Sequence, residues 1–301
     1  MPTEAQSHAA QRPRSNRDIH ALWHASLSTA DHLAIARRIV SVKTGNYRAL
    51  IAQRGLRADQ RLLQEIDVYS ANIAAEHDLD RLREWDACVG RNSLAWLNRQ
   101  IRSEAIPWFG SSGREQRYNA RLTALLGYGQ TLMGQVLNGA IKALGLNEDL
   151  GILHGSVEEA EGLVLDHSAV FRVHVDRFVL GVINQGIIRP KDFKPTVYPL
   201  ELRKKAFKRF CAAFNEMAGG VVAGVCIQDA MRIQIRSFGR FVLTGTPLWL
   251  YQWSGAEYPV ARVVSAAGGP FLADPDRSAV QLPLFQTPPQ RGDKRLRVIR
   301  Q

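Results

Sequence analysis

The sequence predicts an all-α protein, a multi-helix bundle placed between a flexible basic arm and an irregular tail. Two observations support this: apolar residues recur at helical spacing along most of the chain, and convincing strand alternation is scarce. With 301 residues and a hydrophobic content of 46%, the chain can bury one large core or two modest ones. We expect the arm over residues 1–26, the helical body over 27–253 and the tail over 254–301.

Helical segments follow one another along the body. The first carries apolar residues from Leu33 to Ile51, with Ser28 or Thr29 available as its cap. Gly145 predicts the end of the fourth, because glycine readily adopts the left-handed conformation that terminates helices. The prolines of RPKDFKPTVYP predict a surface crossing after the fifth. The second to fourth helices are expected at about 59–75, 78–102 and 116–144, and the sixth and seventh at about 199–217 and 221–243. One face of the fifth is marked by Phe171, Val175, Phe178, Val179 and Val182.

The charge balance points to a polyanionic partner. There are 39 Lys and Arg against 28 Asp and Glu, a formal net charge of +11, and DNA or RNA is the commonest polyanion in a cell. No run of eighteen apolar residues and no secretory leader is present, so neither a membrane span nor export is expected. Cys88, Cys211 and Cys226 form no CxxC pair, which argues against zinc or disulfides and fits a reducing cytoplasm.

Basic residues recur on one face of each of the last two predicted helices. Such rows could follow DNA phosphates, each contact releasing condensed counterions. A solvated helix face explains either row taken alone equally well. The candidate DNA-binding residues are Lys204, Lys205, Lys208, Arg209, Arg232, Arg236 and Arg240.

Candidate catalytic residues include Asp86, His154 and Asp166, but no spacing among them by itself proves a metal site. A hard divalent ion needs two or three carboxylate or imidazole ligands converging from different elements. From the residues alone, a single histidine in GILHG is more often a structural turn residue than a ligand.

Several motifs in order carry a family resemblance. LTALLGYGQTLMGQVLNGAIKALGLNEDLGILHG and then LVLDHSAVFRVHVDRFVLGVINQGII resemble the catalytic domain of the CRISPR-associated spacer-acquisition integrases, the Cas-one family. Upstream, ARRIVSVKTGNYRALI is similar to the family helix that ends in Lys and Asn, here Lys43 and Asn46. Downstream, IQDAMRIQIRSFGRFVLTGTPLWLYQW resembles its final Gln/Arg-rich helix. The resemblance covers about residues 27–253.

The resemblance implies an all-α catalytic domain that holds Mg²⁺ or Mn²⁺ through a Glu, a His and a second acidic residue. With a small partner, the Cas-two protein, the family joins 3′-OH ends of a DNA fragment to a repeat, as part of antiviral defence. We therefore expect a metal-dependent DNA endonuclease or integrase acting on branched or 3′-OH-ended DNA. We also expect a homodimer and a Cas-two-like partner, although the β-sandwich that helps the family to form both contacts does not precede the matched helices here.

The ligand positions depart from the family pattern. His154 matches the family histidine and Asp166 its first acidic residue, but Ala169 stands where the acidic ligand is usual. Asp86 takes the place of the family Glu, with Glu84 as an off-register alternative. We predict that Asp86, His154 and Asp166 form the catalytic and metal-binding set. The competing hypothesis is a catalytically degenerate DNA-binding or assembly subunit.

A short motif in the tail predicts a further partner. Gln281, Leu282, Leu284 and Phe285 form the pattern Gln-Leu-x-Leu-Phe, which resembles the peptide that binds the bacterial DNA sliding clamp. Such a peptide inserts Leu and Phe into an apolar cleft while the Gln amide satisfies a polar rim. The alternative is that these residues dock back onto the helical body.

Overall fold

The fold is all-α, as the sequence predicts. The computed structural model describes residues 24–53, 56, 58–102, 120–154, 161–194, 200–219 and 226–253, so most of the predicted arm and all of the tail lie outside the described residues. In the described part, an isolated bridge between Phe193 and Leu202 is the one β-type pairing, and no helix is long and apolar enough to cross a membrane. The helices are α1 (Thr29–Ile51), α2 (Gln60–Ala75), α3 (Leu79–Arg99), α4 (Ala120–Ala143), α5 (Gly162–Asn184), α6 (Lys204–Gly219) and α7 (Ile227–Thr244).

Local side-chain chemistry sets most helix ends. Ser28 caps α1 in a reciprocal capping box with Asp31, and the carboxylates of Asp59 and Asp78 cap α2 and α3. Gly145 follows α4 with a φ of 72°, the left-handed conformation expected of it. These four boundaries agree with the prediction to within a few residues.

The predicted start of the sixth helix is wrong. It was expected near residue 199, whereas α6 begins at Lys204. The backbone before α6 pairs with residues 192–194 instead. The backbone N–H of Lys194 donates to the carbonyl oxygen of Glu201 at 2.8 Å, and the backbone N–H of Arg203 donates to the carbonyl oxygen of Asp192 at 2.8 Å. This non-local pairing holds the residues before α6 out of the helix.

Helix α5 lies at the centre of the fold. It packs against α1, α4, α6 and α7, and side chains all around it are buried, as expected of a helix enclosed by others. Four of the buried side chains can ionise: Asp166, His167, His174 and Asp176. Each of them needs a partner or must stay neutral.

An extended, buried segment follows α7 and closes the core; we call residues 248–253 the strap. Amide side chains, rather than a neighbouring strand, satisfy its backbone. Asn46 donates to the carbonyl oxygen of Tyr251 at 3.2 Å and accepts from the backbone N–H of Trp253 at 2.8 Å. Gln234 accepts from the backbone N–H of Tyr251 at 2.9 Å. The Tyr251 ring stacks on Phe171 of α5, with ring centroids 4.9 Å apart.

Candidate functional site

His154 ends the described part of the loop after α4, and Asp166 of α5 holds that loop. The carboxylate accepts hydrogen bonds from three consecutive backbone N–H groups: Ile152, Leu153 at 3.1 Å and His154 at 2.9 Å. It also binds the ring Nδ1 of His154 at 2.8 Å. Asp166 is fully buried, so these contacts replace the water that a carboxylate would otherwise require.

The contact with Asp166 orients the imidazole and sets its chemistry. Because both carboxylate oxygens act as acceptors, Nδ1 carries the proton and Nε2 faces away from Asp166. Burial lowers the pKa of His154, but the hydrogen bond and charge of Asp166, together with the charge of Asp86, outweigh it and raise the pKa. A ring held in this way can serve at Nε2 as a metal ligand or in proton transfer.

Asp86 of α3 lies on the other side of the imidazole. Its Oδ2 is 4.0 Å from Nε2 of His154, while its Oδ1 accepts a hydrogen bond of 2.6 Å from Nζ of Lys43. Burial raises the pKa of Asp86, but the charge and hydrogen bond of Lys43, together with the charges of His154 and Arg172, outweigh it and lower the pKa. Lys43 is fully buried, which lowers the pKa of its ammonium group against the opposing pull of Asp86.

Further polar and charged side chains lie near Lys43. The side-chain amide of Gln130 lies 2.9 Å from Nε and 3.0 Å from Nη2 of Arg172, and only its oxygen can accept hydrogen bonds from these donors. Tyr47 donates to Asp176 at 2.6 Å, and burial raises the pKa of Asp176 despite the nearby charge of Arg172. The site is therefore supported by a network of polar and charged side chains rather than by apolar packing alone.

Two glycines allow the loop to approach α5 closely. A Cβ atom on Gly151 or on Gly162 would collide with the backbone carbonyl oxygen of His154. Larger residues at these positions would push the loop away from Asp166, so glycine is required there.

The structure brings Asp86, His154 and Asp166 together, but not around one common point. Asp166 binds the Nδ1 side of the imidazole and Asp86 faces the Nε2 side, so Asp166 orients the ring and is not placed to share an ion with Asp86. Within the described residues, no group of three His, Cys, Asp or Glu side chains could hold a metal ion. Among the described residues these three do not form a shared three-ligand site, and the metal-binding role of Asp86, His154 and Asp166 stays a prediction. Ala169, one turn after Asp166, offers no replacement oxygen.

Glu84, the off-register alternative, is exposed on α3. It pairs with Arg81 at 2.8 Å, whereas Asp86 faces His154. The geometry therefore favours Asp86 as the acidic residue of the site.

The predicted basic rows lie on the surface of α6 and α7. Lys204, Lys205, Lys208 and Arg209 are exposed, although Arg209 also pairs with Asp192 at 2.9 Å. On α7, Arg236 and Arg240 are exposed, whereas Arg232 is half-buried and pairs with Asp229 at 2.9 Å. Their role in DNA binding stays a prediction. The proposed clamp peptide, Gln281, Leu282, Leu284 and Phe285, lies outside the described residues.

Sequence reasoning missed several residues that build the site. Lys43 was noted only as part of a family motif, and its ion pair with Asp86 joins residues 43 positions apart. Arg83 of α3 donates from Nε to the carbonyl oxygen of Leu153 at 2.6 Å, and no local spacing indicates that contact. Gly151 is the first residue of GILHG, but no sequence pattern indicated its close packing against the start of α5.

Comparisons with known proteins identify the class to which this helical fold and its His–Asp site belong. A family model described as CRISPR associated protein Cas1 matches residues 8–216, more than half of the chain. The chain belongs to the Cas1 family, and the resemblance found in the sequence is confirmed. The matched range includes Asp86, His154 and Asp166 and ends within α6.

Similar proteins include two CRISPR-associated endonucleases Cas1. The one from Chlorobaculum tepidum is 37% identical over 171 residues, covering 53% of this chain and 49% of the relative. One from Moorella thermoacetica is 27% identical over 183 residues, covering 58% and 53%. The chain thus spans about half the length of these relatives.

Solved structures share the fold at low sequence identity. A Cas1 protein from Thermotoga maritima aligns with a TM-score of 0.61 at 17% identity, covering 76% of this chain and 70% of that one. A casposase bound to integration product gives 0.64 at 18%, covering 84% and 72%. A partial Cas6-RT-Cas1–Cas2 complex gives 0.66 at 19%, covering 79% and 75%.

Proposed function

We propose that this chain is a metal-dependent DNA endonuclease or integrase that acts on phosphodiesters of branched or 3′-OH-ended DNA. One observation carries the proposal: Nε2 of His154 and Oδ2 of Asp86 face each other across 4.0 Å, each held from behind by a buried partner. Membership of the Cas1 family and the endonuclease names of its relatives support the same chemistry.

Nε2 of His154 and Oδ2 of Asp86 suit a divalent ion that takes its remaining ligands from water and from the DNA substrate. Mg²⁺ commonly binds through one or two protein ligands, keeps several waters and takes phosphate oxygens as further ligands. Asp86 and His154 would hold Mg²⁺ or Mn²⁺ in this way. When bound, such an ion polarises the scissile phosphate and stabilises the leaving oxygen.

The side chains around the site have separate tasks in this proposal. Asp166 keeps the imidazole in one orientation and one tautomer, with Nε2 directed at the substrate side. Lys43 occupies Oδ1 of Asp86, which leaves Oδ2 as the carboxylate oxygen available to a cation. The exposed basic rows of α6 and α7 bind the phosphates of the DNA backbone.

Strand transfer and nicking of branched DNA with Mg²⁺ or Mn²⁺ test this function. His154→Ala is expected to slow the reaction by at least about 100-fold, because the ring is lost at the reacting phosphate. The matched control is His77→Ala, which removes an exposed imidazole from the connection between α2 and α3 and should leave the rate unchanged. Equal rates for the wild type and His154→Ala would contradict the proposal.

The second candidate is a catalytically degenerate DNA-binding subunit. The alanine at position 169 and the ion pair that occupies Oδ1 of Asp86 favour it, since both reduce the oxygens available to a cation. It predicts that the wild type neither nicks nor joins DNA with either metal, while salt-dependent DNA binding persists and is unaffected by His154→Ala.

Partners are proposed on separate grounds. Similar structures include Cas6-RT-Cas1–Cas2 complexes, which supports a Cas2-like partner for this chain. The homodimer is proposed from the family resemblance alone. Co-purification with a Cas2-like protein tests the partner, and light scattering of the chain alone tests the homodimer.

The tail motif supports binding to the bacterial sliding clamp. Changing Leu284 and Phe285 to Ala should abolish the affinity of the full chain for the clamp.

A further inference from the structure

Arg83 connects α3 to the loop that carries His154. It lies one turn before Asp86 on α3 and is partly exposed. Its Nε donates to the carbonyl oxygen of Leu153 at 2.6 Å, and its Nη1 binds Oδ1 of Asp80 at 2.5 Å. The guanidinium is therefore held on both edges, between its own helix and the loop.

Both backbone polar groups of Leu153, its N–H and its carbonyl oxygen, are held by side chains from different helices. Its backbone N–H donates to Asp166 of α5 at 3.1 Å, and its carbonyl oxygen accepts from Arg83 of α3. His154 is the next residue, so its backbone position is determined by the two helices together.

The position of Arg83 matters because the same helix carries Asp86. A contact from α3 to the peptide before His154 fixes how far the imidazole lies from the Asp86 carboxylate. We propose that Arg83 is a positioning residue that sets the 4.0 Å separation of Nε2 of His154 from Oδ2 of Asp86. The consequence for metal binding rests on the function proposed above, whereas the effect on the loop does not.

Arginine suits this role better than lysine. Its planar fork donates to the loop carbonyl from Nε and to the Asp80 carboxylate from Nη1 at the same time. An ammonium group at the end of a flexible chain lacks that fixed geometry. Lysine should restore the charge without restoring the position.

The experiment compares Arg83→Met and Arg83→Lys with the wild type by amide hydrogen exchange and by Mn²⁺ titration followed by electron paramagnetic resonance. Arg81→Met is the matched control, because Arg81 is an exposed arginine on the same helix that pairs with Glu84. In Arg83→Met we expect about tenfold faster exchange at the amides of Leu153 and His154, relative to those of α4. We expect about tenfold weaker Mn²⁺ binding.

The outcomes separate the two proposals. Unchanged exchange at Leu153 and His154 in Arg83→Met, or full recovery of both readouts in Arg83→Lys, overturns the positioning role. If the wild type binds Mn²⁺ and Arg83→Met binds it with the same affinity, the positioning role is also overturned. If the wild type binds no Mn²⁺, the proposed function fails, and the exchange data alone decide whether Arg83 holds the loop. Should Arg83→Met fail to fold, Asp80→Asn, which releases only Nη1, is expected to raise exchange at the same amides by a smaller factor.

Discussion

The loop before α5 and the interior of α5 treat histidine in opposite ways. In the loop, His154 meets the carboxylate of Asp166 and its pKa is raised. Within α5, burial lowers the pKa of His167 to about 4 and that of His174 to about 3. His167 lies beside the Gln234 amide at 3.0 Å, and His174 packs edge-on against the rings of the strap.

The difference shows that burial alone does not make a histidine chemically useful. All three rings are largely removed from water, yet only His154 has a carboxylate at hydrogen-bond distance on one side and a second carboxylate facing the other. A neutral, buried imidazole behaves as an aromatic core residue, whereas a paired one can hold charge or bind a cation.

Removing Asp166 should break the contrast most strongly. Asp166→Ala is expected to cost about 4 kcal/mol in the free energy of unfolding, because three buried backbone N–H groups lose their acceptor. Urea unfolding measures this. Asp67→Ala, at an exposed ion pair, serves as control and should leave the free energy of unfolding nearly unchanged. In any folded fraction the pKa of His154, followed by NMR, should fall below 6.5; an unchanged pKa would contradict the role given to Asp166.

Lys43→Met should have the next largest effect. It leaves the Asp86 carboxylate buried without its cation, which is expected to destabilise the protein by about 3 kcal/mol and to raise the pKa of Asp86. The double variant Lys43→Met/Asp86→Leu removes both charges and should regain most of the stability, though not activity. A double variant as unstable as Lys43→Met would show that the ion pair itself is not the cause.

Acid should destabilise the protein through its buried histidines, which are His24, whose pKa burial lowers to about 4, and His167 and His174 of α5. The folded pKa values of His167 and His174 lie below 6.5, so the unfolded chain takes up protons first as the pH falls, and stability declines. Each ring contributes a loss of about 2 kcal/mol by pH 5. His154 acts in the opposite sense, since its raised pKa favours the folded state below pH 6.5 and that contribution fades as the pH rises through the folded pKa. His174→Phe should reduce the difference in unfolding free energy between pH 7 and pH 5 by about 2 kcal/mol; an unaltered difference would assign the acid sensitivity elsewhere.

The smallest effect is expected at an exposed ion pair. Arg48 and Asp67 lie 2.6 Å apart, but both side chains are about half exposed. Asp67→Asn should therefore leave the free energy of unfolding nearly unchanged, and added salt should reduce even the small remaining effect. A loss comparable to that of Lys43→Met would mean that burial does not determine the strength of these pairs.

How much of the molecule the sequence predicts depends on the range of the interactions. Ser28, Asp59, Asp78 and Gly145 act on residues within one turn, so the helix ends they set are predictable. The start of α6 depends on the pairing of Phe193 with Leu202, a contact that helix periodicity does not predict.

The same distinction applies to the site. The motifs located His154 and Asp86, but the task of Asp166 follows from a loop conformation that no spacing encodes. The contacts of Lys43 and Arg83 join residues 43 and 70 positions from their partners and became visible only in the fold.

The strap has a consequence for synthesis of the chain. Asn46 of α1 binds backbone groups of Tyr251 and Trp253, which lie 205 and 207 positions later. While a ribosome is still extending the chain, the surfaces of α1 and α5 that the strap covers remain exposed to water. The contacts of these helices with the strap form only after residue 253 has emerged. Closing so long a loop is slow, so we expect the last few residues of the helical body to complete its folding.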